Sequence, residues 1–235
     1  MTTSAPPFAV VFIRHGHSEW NLKGRFTGWT DIALTETGLA EAAQAGRRLA
    51  SAGYVFDEAH GSVLRRTRQT LDVLLDQAGC AGIPIFETWR LNERHYGALQ
   101  GMSKEEIFAA WGEARSRRWW RGYHEPPPPL DLDDRRHPRF DPLYAGMDQS
   151  LLPSTESLAD CQRRTLPYWR NILLPRLAAG RRLLIASHGN NLRGLVMHLD
   201  GITPEEMERV EIPSGVPCVY RFAADLRVLG RDWLD

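Results

Sequence analysis

Phe8-Ala9-Val10-Val11-Phe12-Ile13-Arg14-His15-Gly16 is the stretch that decides the fold of this chain. Its apolar part, residues 8–13, is continuous rather than alternating, which is typical of a parallel strand covered on both faces. Apolar runs of the same kind occur at 83–86 and 183–186. Amphipathic segments separate these runs, so the sequence predicts an α/β fold with parallel strands flanked by helices.

Amphipathic segments with recognisable start or stop signals are predicted to be helices. They are Thr35 to Gly53, Ser62 (as N-cap) to Gly79, Ser103 to about Arg118, Thr155 to Leu177, and the residues after Asn190 up to Gly201. Pro167 should kink or interrupt the fourth of these, because proline has no N–H for the helical ladder.

Length and composition indicate a globular protein that binds neither nucleic acid nor a membrane. The chain has 235 residues, of which 43% are hydrophobic and 25% charged, and its formal net charge is zero. This length buries a sizeable core, so we expect one domain over residues 1–235. A zero net charge gives no general attraction to nucleic acid or anionic lipid. The N-terminus lacks a basic region, and the first apolar run is too short for a signal peptide or a membrane span, which predicts a cytoplasmic location.

The three cysteines, Cys80, Cys161 and Cys218, are scattered along the chain. Their spacing is not that of a metal site, and their odd number argues against a disulfide framework. We interpret them as buried or inert thiols in a reducing compartment.

His15 follows the first apolar run and precedes a glycine. In open α/β sheets, ligands bind outside the carboxyl ends of the strands, and a glycine leaves room for close approach. At pH 7 an ordinary histidine, with a pKa of about 6.5, is largely neutral and nucleophilic. Side chains and turns suited to binding phosphate surround it in the sequence, namely Arg14, Ser18, Asn21, Arg25, Thr27 and Gly28. A lone histidine is more often structural, but this cluster predicts phosphoryl chemistry.

His188-Gly189-Asn190 repeats the arrangement of strand followed by His-Gly. The helix after Asn190 is expected to offer free backbone N–H groups to an anion. Two strand-end histidines in one chain suggest a shared pocket. Arg66, in the helix that follows Ser62, is a further candidate ligand because a guanidinium binds phosphate in a bidentate manner.

Glu93 lies in the stretch Leu91-Asn92-Glu93-Arg94-His95-Tyr96-Gly97, which follows a predicted strand and turn. A carboxyl group beside phosphate tends to hold a proton, so this glutamate is a candidate general acid and base. Most glutamates simply face solvent, and the dense polar context is what singles this one out.

From about Ala9 to Leu234 the chain resembles the cofactor-dependent phosphoglycerate mutases of the histidine phosphatase superfamily. The matching stretches are Arg14-His15-Gly16, Trp20-Asn21, Arg25 to Trp29, Leu91 to Gly101, Pro153 to Leu158, His188-Gly189-Asn190 and Ile212 to Pro217. Arg-His-Gly by itself indicates only the superfamily. The Glu93-Arg94-His95-Tyr96-Gly97 block is far more specific to the mutases and their bisphosphoglycerate mutase relatives.

The resemblance implies a three-layer α/β sandwich that interconverts 3-phosphoglycerate and 2-phosphoglycerate. His15 would become phosphohistidine, held by Arg14, Arg66 and His188, and Glu93 would carry the proton. The binding residues would be Ser18, Asn21, Thr27, Gly28, Arg94, Tyr96, Lys104, Arg121, Gly189 and Asn190. The resemblance further implies 2,3-bisphosphoglycerate as the priming cofactor, no metal, a small phosphorylated substrate, and a homodimer or homotetramer.

The stretch 98–153 differs from the rest and is predicted to be an insertion. It contains Trp119-Trp120 and four prolines at 126–129, and proline at this density disfavours regular structure. A loop of this length is usually a functional lid or disordered. Because the aromatic side chains need burial, we expect an ordered insertion over the active site. Residues 119–130, which include Arg121, should form a wall of the substrate pocket.

Three features depart from the mutase pattern. Position 17 is His where the family usually has Glu, and Trp120 stands where it usually has the first of two arginines. Either this chain has one arginine ligand fewer for a carboxylate or phosphate, or Arg117 or Arg118 takes the place of that arginine. The sequence also ends at Asp235, near the close of the family's common core, whereas many members continue with a flexible tail that would keep water from the phosphohistidine and shorter members also exist.

These departures keep other functions open. One alternative is a histidine phosphatase that acts on a small phosphoester, and another is a bisphosphoglycerate mutase or phosphatase side activity. A third, of a different class, is a protein that binds a phosphorylated ligand without catalysis. The intact set of His15, Arg66, Glu93 and His188 argues against this third alternative.

Overall fold

The predicted first strand lies inside a six-stranded sheet in the computed structural model, which describes residues 8–235. The strands are β1 (Phe8–Arg14), β2 (Glu58–Gly61), β3 (Ile85–Glu87), β4 (Leu183–Ser187), β5 (Pro217–Phe222) and β6 (Val228–Trp233). Their order is β3-β2-β4-β1-β5-β6. The first four strands in this order are parallel to one another, and β5 pairs in an antiparallel manner with both β1 and β6. The prediction of a mostly parallel sheet is therefore confirmed.

Helices cover both faces of the sheet, which confirms the three layers. They are α1 (Glu19–Leu22), α2 (Glu36–Ser51), α3 (Arg65–Gln77), α4 (Lys104–Trp111), α5 (Glu113–Arg121), α6 (Leu158–Tyr168), α7 (Leu174–Ala178), α8 (Gly189–Asp200) and α9 (Pro204–Met207). Val11 and Ile13 of β1 face the core under α2 and α3. Val10 and Phe12 face the opposite core, with α6 and α8. Both faces of β1 are buried, which is why its apolar run does not alternate.

Several predicted elements need correction. The helix expected from Ser103 to Arg118 is two helices, because Gly112 has a φ of +77° and separates α4 from α5. The helix expected to start at Ser62 starts at Arg65, with Leu64 as N-cap. The predicted strand 83–86 is the short, partly exposed edge strand β3.

Three strands were not predicted. β2 has the sequence Glu-Ala-His-Gly, and its side chains are all buried although two of them are polar. β5 and β6 form an antiparallel pair with an irregular register at Arg221 and Phe222. Neither strand contains the long apolar run on which the strand predictions depended.

The predicted interruption near Pro167 is confirmed. α6 contains this proline, and the turns that follow it, Trp169–Leu173, form a π-helix before α7 begins. Missing N–H groups and π-type turns are common causes of irregularity in helices. The predicted helix after Asn190 is also present, although α8 begins slightly earlier, at Gly189, and it ends at Asp200 with Gly201 as a left-handed C-cap.

The three cysteines are buried free thiols, as predicted. Burial raises the pKa of Cys161 to about 12 and that of Cys218 to about 11, so both are protonated at neutral pH. Within residues 8–235, no helix is long and apolar enough to cross a membrane.

Candidate active site

The two predicted histidines meet because their strands are neighbours. β1 and β4 pair in parallel, with Arg14 opposite Ser187, so His15 and His188 are the next residues along each strand. The backbone N–H of His15 donates to the carbonyl of Ser187 at 3.0 Å. The centroids of the two imidazole rings are 4.9 Å apart. The shared pocket expected from two His-Gly turns is thus present at the carboxyl edge of the sheet.

Arg66 joins the two rings. Its Nε–H points at both His15 Nε2, at 3.3 Å, and His188 Nδ1, at 3.2 Å. Its Nη1 and Nη2 donate to the carbonyls of Thr30 and Gly28. The side chain is almost fully buried and its orientation is fixed from three sides. Burial lowers the pKa of Arg66 to about 10, which still leaves the guanidinium charged at neutral pH.

Hydrogen bonds determine which nitrogen of His15 is nucleophilic. Nδ1 lies 2.7 Å from the carbonyl of Gly16, which can only accept, so Nδ1 carries the proton. Nε2 therefore has the free lone pair. It lies beside the Arg66 Nε–H, at the end of the strand where a ligand would approach.

The tautomer of His188 follows in the same way. The hydroxyl of Thr67 donates to backbone carbonyls, so Ser62 Oγ donates to Thr67 and accepts from His188 Nε2 at 2.8 Å. Nδ1 of His188 is then the acceptor that faces Arg66. Ser62, which was predicted to be a helix cap, instead orients this histidine.

Burial lowers the pKa of both His15 and His188 well below the usual range, and the Arg66 charge lowers both further. Both rings are therefore neutral at pH 7. A neutral His15 retains the nucleophilic lone pair without assistance from a base.

These buried histidines should make the protein less stable in mild acid. Burial also lowers the pKa of His95, to about 3. Below pH 6.5 the unfolded chain binds protons that the folded chain does not, so the free energy of unfolding falls as pH falls. Each such histidine costs about 2 kcal/mol at pH 5. We expect urea unfolding at pH 5 and pH 7 to show this loss.

His95→Asn provides a control for this prediction, because its amide oxygen can still accept the Gly97 N–H that His95 Nδ1 accepts. The variant should lose less stability than the wild type between pH 7 and pH 5. A free energy of unfolding that is equal at the two pH values would contradict the prediction.

Arg14, the last residue of β1, also lines this site. Its Nη1 donates to the carbonyl of Ile212 at 2.9 Å, which anchors the guanidinium to the segment before β5. Its Nε is buried and has no partner among the described residues. A buried N–H without a partner costs free energy, so this donor is suited to a ligand oxygen.

Glu93 caps the N-terminus of α8. Its Oε1 accepts from the backbone N–H of Arg94 at 2.8 Å and from that of Asn190 at 3.1 Å. We expected the N–H groups after His188 to be free for an anion, but that of Asn190 is bound to Glu93. Since Oε1 takes both bonds and Glu93 lines the cavity described below, Oε2 is available for proton transfer.

A buried ion pair between Glu156 and Arg164, which was not predicted from the sequence, supports the backbone of Glu93. Arg164 donates from Nε to Glu156 Oε1 at 2.6 Å, and its Nη2 donates to the carbonyl of Glu93 at 2.7 Å. Trp29 Nε1 donates to the same carbonyl at 2.6 Å. The pair therefore anchors the backbone of the glutamate that would carry the proton.

A cavity of about 280 Å³ opens beside His15. Arg14, Arg25, Arg66, Lys104, Arg121 and Arg193 supply its cationic lining, and Glu93 and Glu211 its carboxylates. Three of its lining side chains, Arg14, Thr27 and Arg193, have a buried polar atom without a partner among residues 8–235. Excess positive charge together with unpaired buried polar atoms is the environment that an anion requires.

Most predicted binding residues line this cavity. They are Asn21, Thr27, Gly28, Tyr96, Lys104, Arg121, Gly189 and Asn190. Ser18 and Arg94 are fully buried and lie outside the lining. Ser18 bonds to Asn21 Oδ1, which leaves the amide nitrogen of Asn21 for the cavity. His188 is also fully buried, and it contacts the cavity residues Arg66 and His15 instead.

Gly16 makes room for the protein rather than for a ligand. A Cβ at this position would lie 2.2 Å from the carbonyl oxygen of Gly38. The glycine therefore permits the loop after β1 to pack against the first turn of α2.

The predicted wall over residues 119–130 is only partly correct. Within it, Trp120 and Arg121 line the cavity. The prolines instead support the loop that carries Glu93: the carbonyl of Pro128 accepts from Ala98 N–H at 2.8 Å, and that of Pro127 accepts from Thr155.

Neither Arg117 nor Arg118 replaces the missing arginine. Both are exposed and paired, with Glu113 and Glu125 respectively. Arg193, which was not predicted, lines the cavity instead. It lies three residues after Asn190 on α8, so helical spacing from Asn190 is the signal that would have found it.

The fold and the two-histidine site define a class of protein. Residues 10–230 match the model of the histidine phosphatase superfamily (branch 1), and the chain belongs to that superfamily. Within it, the chain is 48% identical over 225 residues to a 2,3-bisphosphoglycerate-dependent phosphoglycerate mutase of Nitratidesulfovibrio vulgaris (strain DSM 19637 / Miyazaki F). That match covers 96% of this chain and 90% of the relative.

Solved structures agree on the fold. A mycobacterial glucosyl-3-phosphoglycerate phosphatase superposes with a TM-score of 0.70 at 20% identity, covering 96% of this chain and 97% of its own. The Bacillus stearothermophilus protein YhfR superposes with a TM-score of 0.71 at 22% identity, covering 94% of this chain and 93% of its own. At these identities the likeness shows the fold alone.

Proposed function

We propose that this chain interconverts 3-phosphoglycerate and 2-phosphoglycerate through a phosphohistidine on His15. The observation that carries the proposal is the neutral His15 ring, whose Nε2 lone pair lies beside Arg66 in a cationic cavity. The similarity to a named phosphoglycerate mutase supports the choice of substrate.

In the proposed reaction, His15 Nε2 attacks the phosphorus atom in line with the departing oxygen. Arg66 contacts this nitrogen, His188 contacts Arg66, and Arg14 lines the same cavity, so these three residues would hold the remaining phosphoryl oxygens. Phosphoryl transfer needs little covalent assistance from a protein, so positioning and electrostatic stabilisation supply most of the acceleration. Arg66 is fixed by its hydrogen bonds before the substrate arrives, so little reorganisation is needed in the transition state.

Glu93 is the proposed proton carrier. Oε1 is held by two backbone N–H groups and Oε2 is free, so one carboxylate oxygen keeps the group in place while the other exchanges a proton. It would give a proton to the substrate oxygen that leaves phosphorus and take one from the hydroxyl that attacks phosphohistidine. General acid–base transfer of this kind contributes roughly 10²- to 10⁴-fold to the rate.

The cavity fits 2,3-bisphosphoglycerate, the proposed cofactor. Two anionic phosphates and a carboxylate need several cations, and six basic side chains line the cavity. When bound, the cofactor supplies the phosphoryl group that primes His15. Arg14 and Arg66, near His15, would hold one anionic end, and Lys104 and Arg121, which lie against Trp120, would hold the other.

The same proposal includes the domain organisation, the cellular location, the assembly and the binding residues of the enzyme. Residues 1–235 would form a single catalytic domain, located in the cytoplasm and assembled as a homodimer or homotetramer. The binding set would comprise Ser18, Asn21, Thr27, Gly28, Arg94, Tyr96, Lys104, Arg121, Gly189 and Asn190, with Ser18 and Arg94 acting through their neighbours. Light scattering on the purified protein measures the assembly.

One assay separates the proposal from its main rival. Purified protein receives 3-phosphoglycerate with a trace of 2,3-bisphosphoglycerate, and 2-phosphoglycerate and free phosphate are both followed. We expect 2-phosphoglycerate to form much faster than phosphate, because in a mutase a hydroxyl of bound phosphoglycerate would attack phosphohistidine in place of water. Phosphate release that outpaces 2-phosphoglycerate formation would identify a phosphatase instead.

A further inference from the structure

Trp120, near the end of α5, lies against two cations. Lys104 Nζ is 3.9 Å from the centroid of its ring, and Arg121 Cζ is 4.6 Å from it. All three side chains line the cavity. Tryptophan has the aromatic face that attracts cations most strongly. A single indole therefore holds two of the charges that the cavity offers to an anion.

Two buried arginines, Arg94 and Arg193, bind the backbone at the end of α5. Arg94 Nη2 donates to the carbonyl of Trp120 at 3.1 Å, and Arg193 Nη2 donates to the carbonyl of Arg121 at 3.3 Å. Cations near the C-terminal carbonyls of a helix interact favourably with its dipole. The end of α5, and with it the indole, therefore has a fixed position at the cavity wall.

Without the indole, electrostatic repulsion would favour the separation of Lys104 and Arg121. Burial lowers the pKa of Lys104, and the nearby Arg121 charge lowers it further, which shows that the two repel each other. Glu211 pairs with Arg121 at 2.5 Å, but its side chain is mostly exposed and water weakens the pair. Inside the cavity Lys104 and Arg121 thus share the Trp120 ring as a partner, beside the exposed Glu211 carboxylate that also attracts both cations.

We propose that Trp120 is a positioning residue that determines specificity for substrates with a second anionic group. Its indole pre-organises Lys104 and Arg121 as a subsite for the carboxylate or second phosphate that is not transferred to His15. The inference rests on the proposed function for the identity of that substrate. Pre-organisation strengthens binding because the ligand need not collect two mobile, mutually repelling side chains.

The test compares Trp120→Leu with Trp120→Phe. Kinetics on 3-phosphoglycerate give KM and kcat, and competitive inhibition by inorganic phosphate reports on the His15 end of the cavity. We expect Trp120→Leu to raise KM about tenfold, since two cation–π contacts are lost. The kcat and the inhibition constant of phosphate should change little. Trp120→Phe keeps an aromatic face and should recover most of the affinity.

Trp111→Leu is the matched control. Trp111 is partly buried against the same small apolar cluster as Trp120 but does not line the cavity. It should leave KM unchanged, and thermal unfolding of all variants checks that they fold. The double variant Trp120→Leu/Lys104→Met should raise KM by a factor smaller than the product of the two single-variant factors, because both substitutions remove the same contact.

Several outcomes would overturn the inference. They are an unchanged KM in Trp120→Leu, equal effects of Trp120→Leu and Trp120→Phe, or an equal weakening of phosphate inhibition. KM can be read from 2-phosphoglycerate formation or from phosphate release. A wild type that only hydrolyses 3-phosphoglycerate would therefore contradict the proposed function while leaving the role of Trp120 open to the same measurement.

Discussion

His15→Ala should abolish turnover and remove all acid-labile phosphate from the protein. The substitution removes Nε2, the nitrogen with a free lone pair beside Arg66. Loss of a nucleophile that forms a covalent intermediate lowers kcat by about 10⁴-fold or more. Labelling with radioactive 2,3-bisphosphoglycerate, followed by acid and alkaline stability tests, measures phosphohistidine directly. Turnover is measured on 3-phosphoglycerate.

His198→Ala is the matched histidine control for this result. His198 lies on the exposed side of α8 and does not line the cavity. The His198→Ala variant should incorporate as much radioactive phosphate as the wild type. Unchanged labelling in His15→Ala would show that another residue is the nucleophile, and would refute the assignment of His15.

Glu93→Gln should separate phosphoryl transfer to the enzyme from turnover. Glutamine keeps an oxygen that accepts the backbone N–H groups of Arg94 and Asn190, so the local structure should survive. It cannot donate or accept a proton as a carboxyl group does. We expect kcat to fall by about 10²- to 10⁴-fold. Label from 2,3-bisphosphoglycerate should still reach His15, at a lower rate.

The control for Glu93→Gln is Glu205→Gln, an exposed glutamate of α9 outside the cavity, which should retain full turnover. A Glu93→Gln enzyme with wild-type kcat would mean that another group moves the proton. Loss of structure in the variant would be detected as the absence of a cooperative thermal transition, and Glu93→Asp would then test the carboxyl group with a shorter reach.

Elements of the fold are predictable from the sequence where a local pattern coincides with a tertiary requirement. The apolar run before Arg14 predicted a strand covered on both faces, and β1 lies between β4 and β5 with both faces buried. Gly201 predicted the end of α8 because a left-handed residue there suits glycine. β2 was missed since its polar residues are buried by partners distant in sequence, such as Arg176 on Glu58.

In the candidate site, too, the residues of local motifs were predicted, and the residues positioned only by tertiary contacts were not. His15, His188, Arg66 and Glu93 were all named from short motifs, and the structure brings them together at one edge of the sheet. Arg193 and the Glu156–Arg164 pair were missed because they lie outside the motifs that predicted the site, and only the helical spacing from Asn190 points to Arg193. Arg117 and Arg118 were considered as ligands because they are near Trp120 in sequence, whereas helix geometry turns them to the outer face of α5.

The sequence by itself determined the class of fold, the positions of the two histidines at strand ends, and the acidic and basic residues that phosphoryl chemistry requires. It did so because strand burial and turn chemistry are local properties of the chain. Only the tertiary structure decided the tautomers of His15 and His188, the partners of Glu93, and the two cations that lie against Trp120. Those features depend on distances between elements far apart in sequence, and such distances exist only once the core has packed.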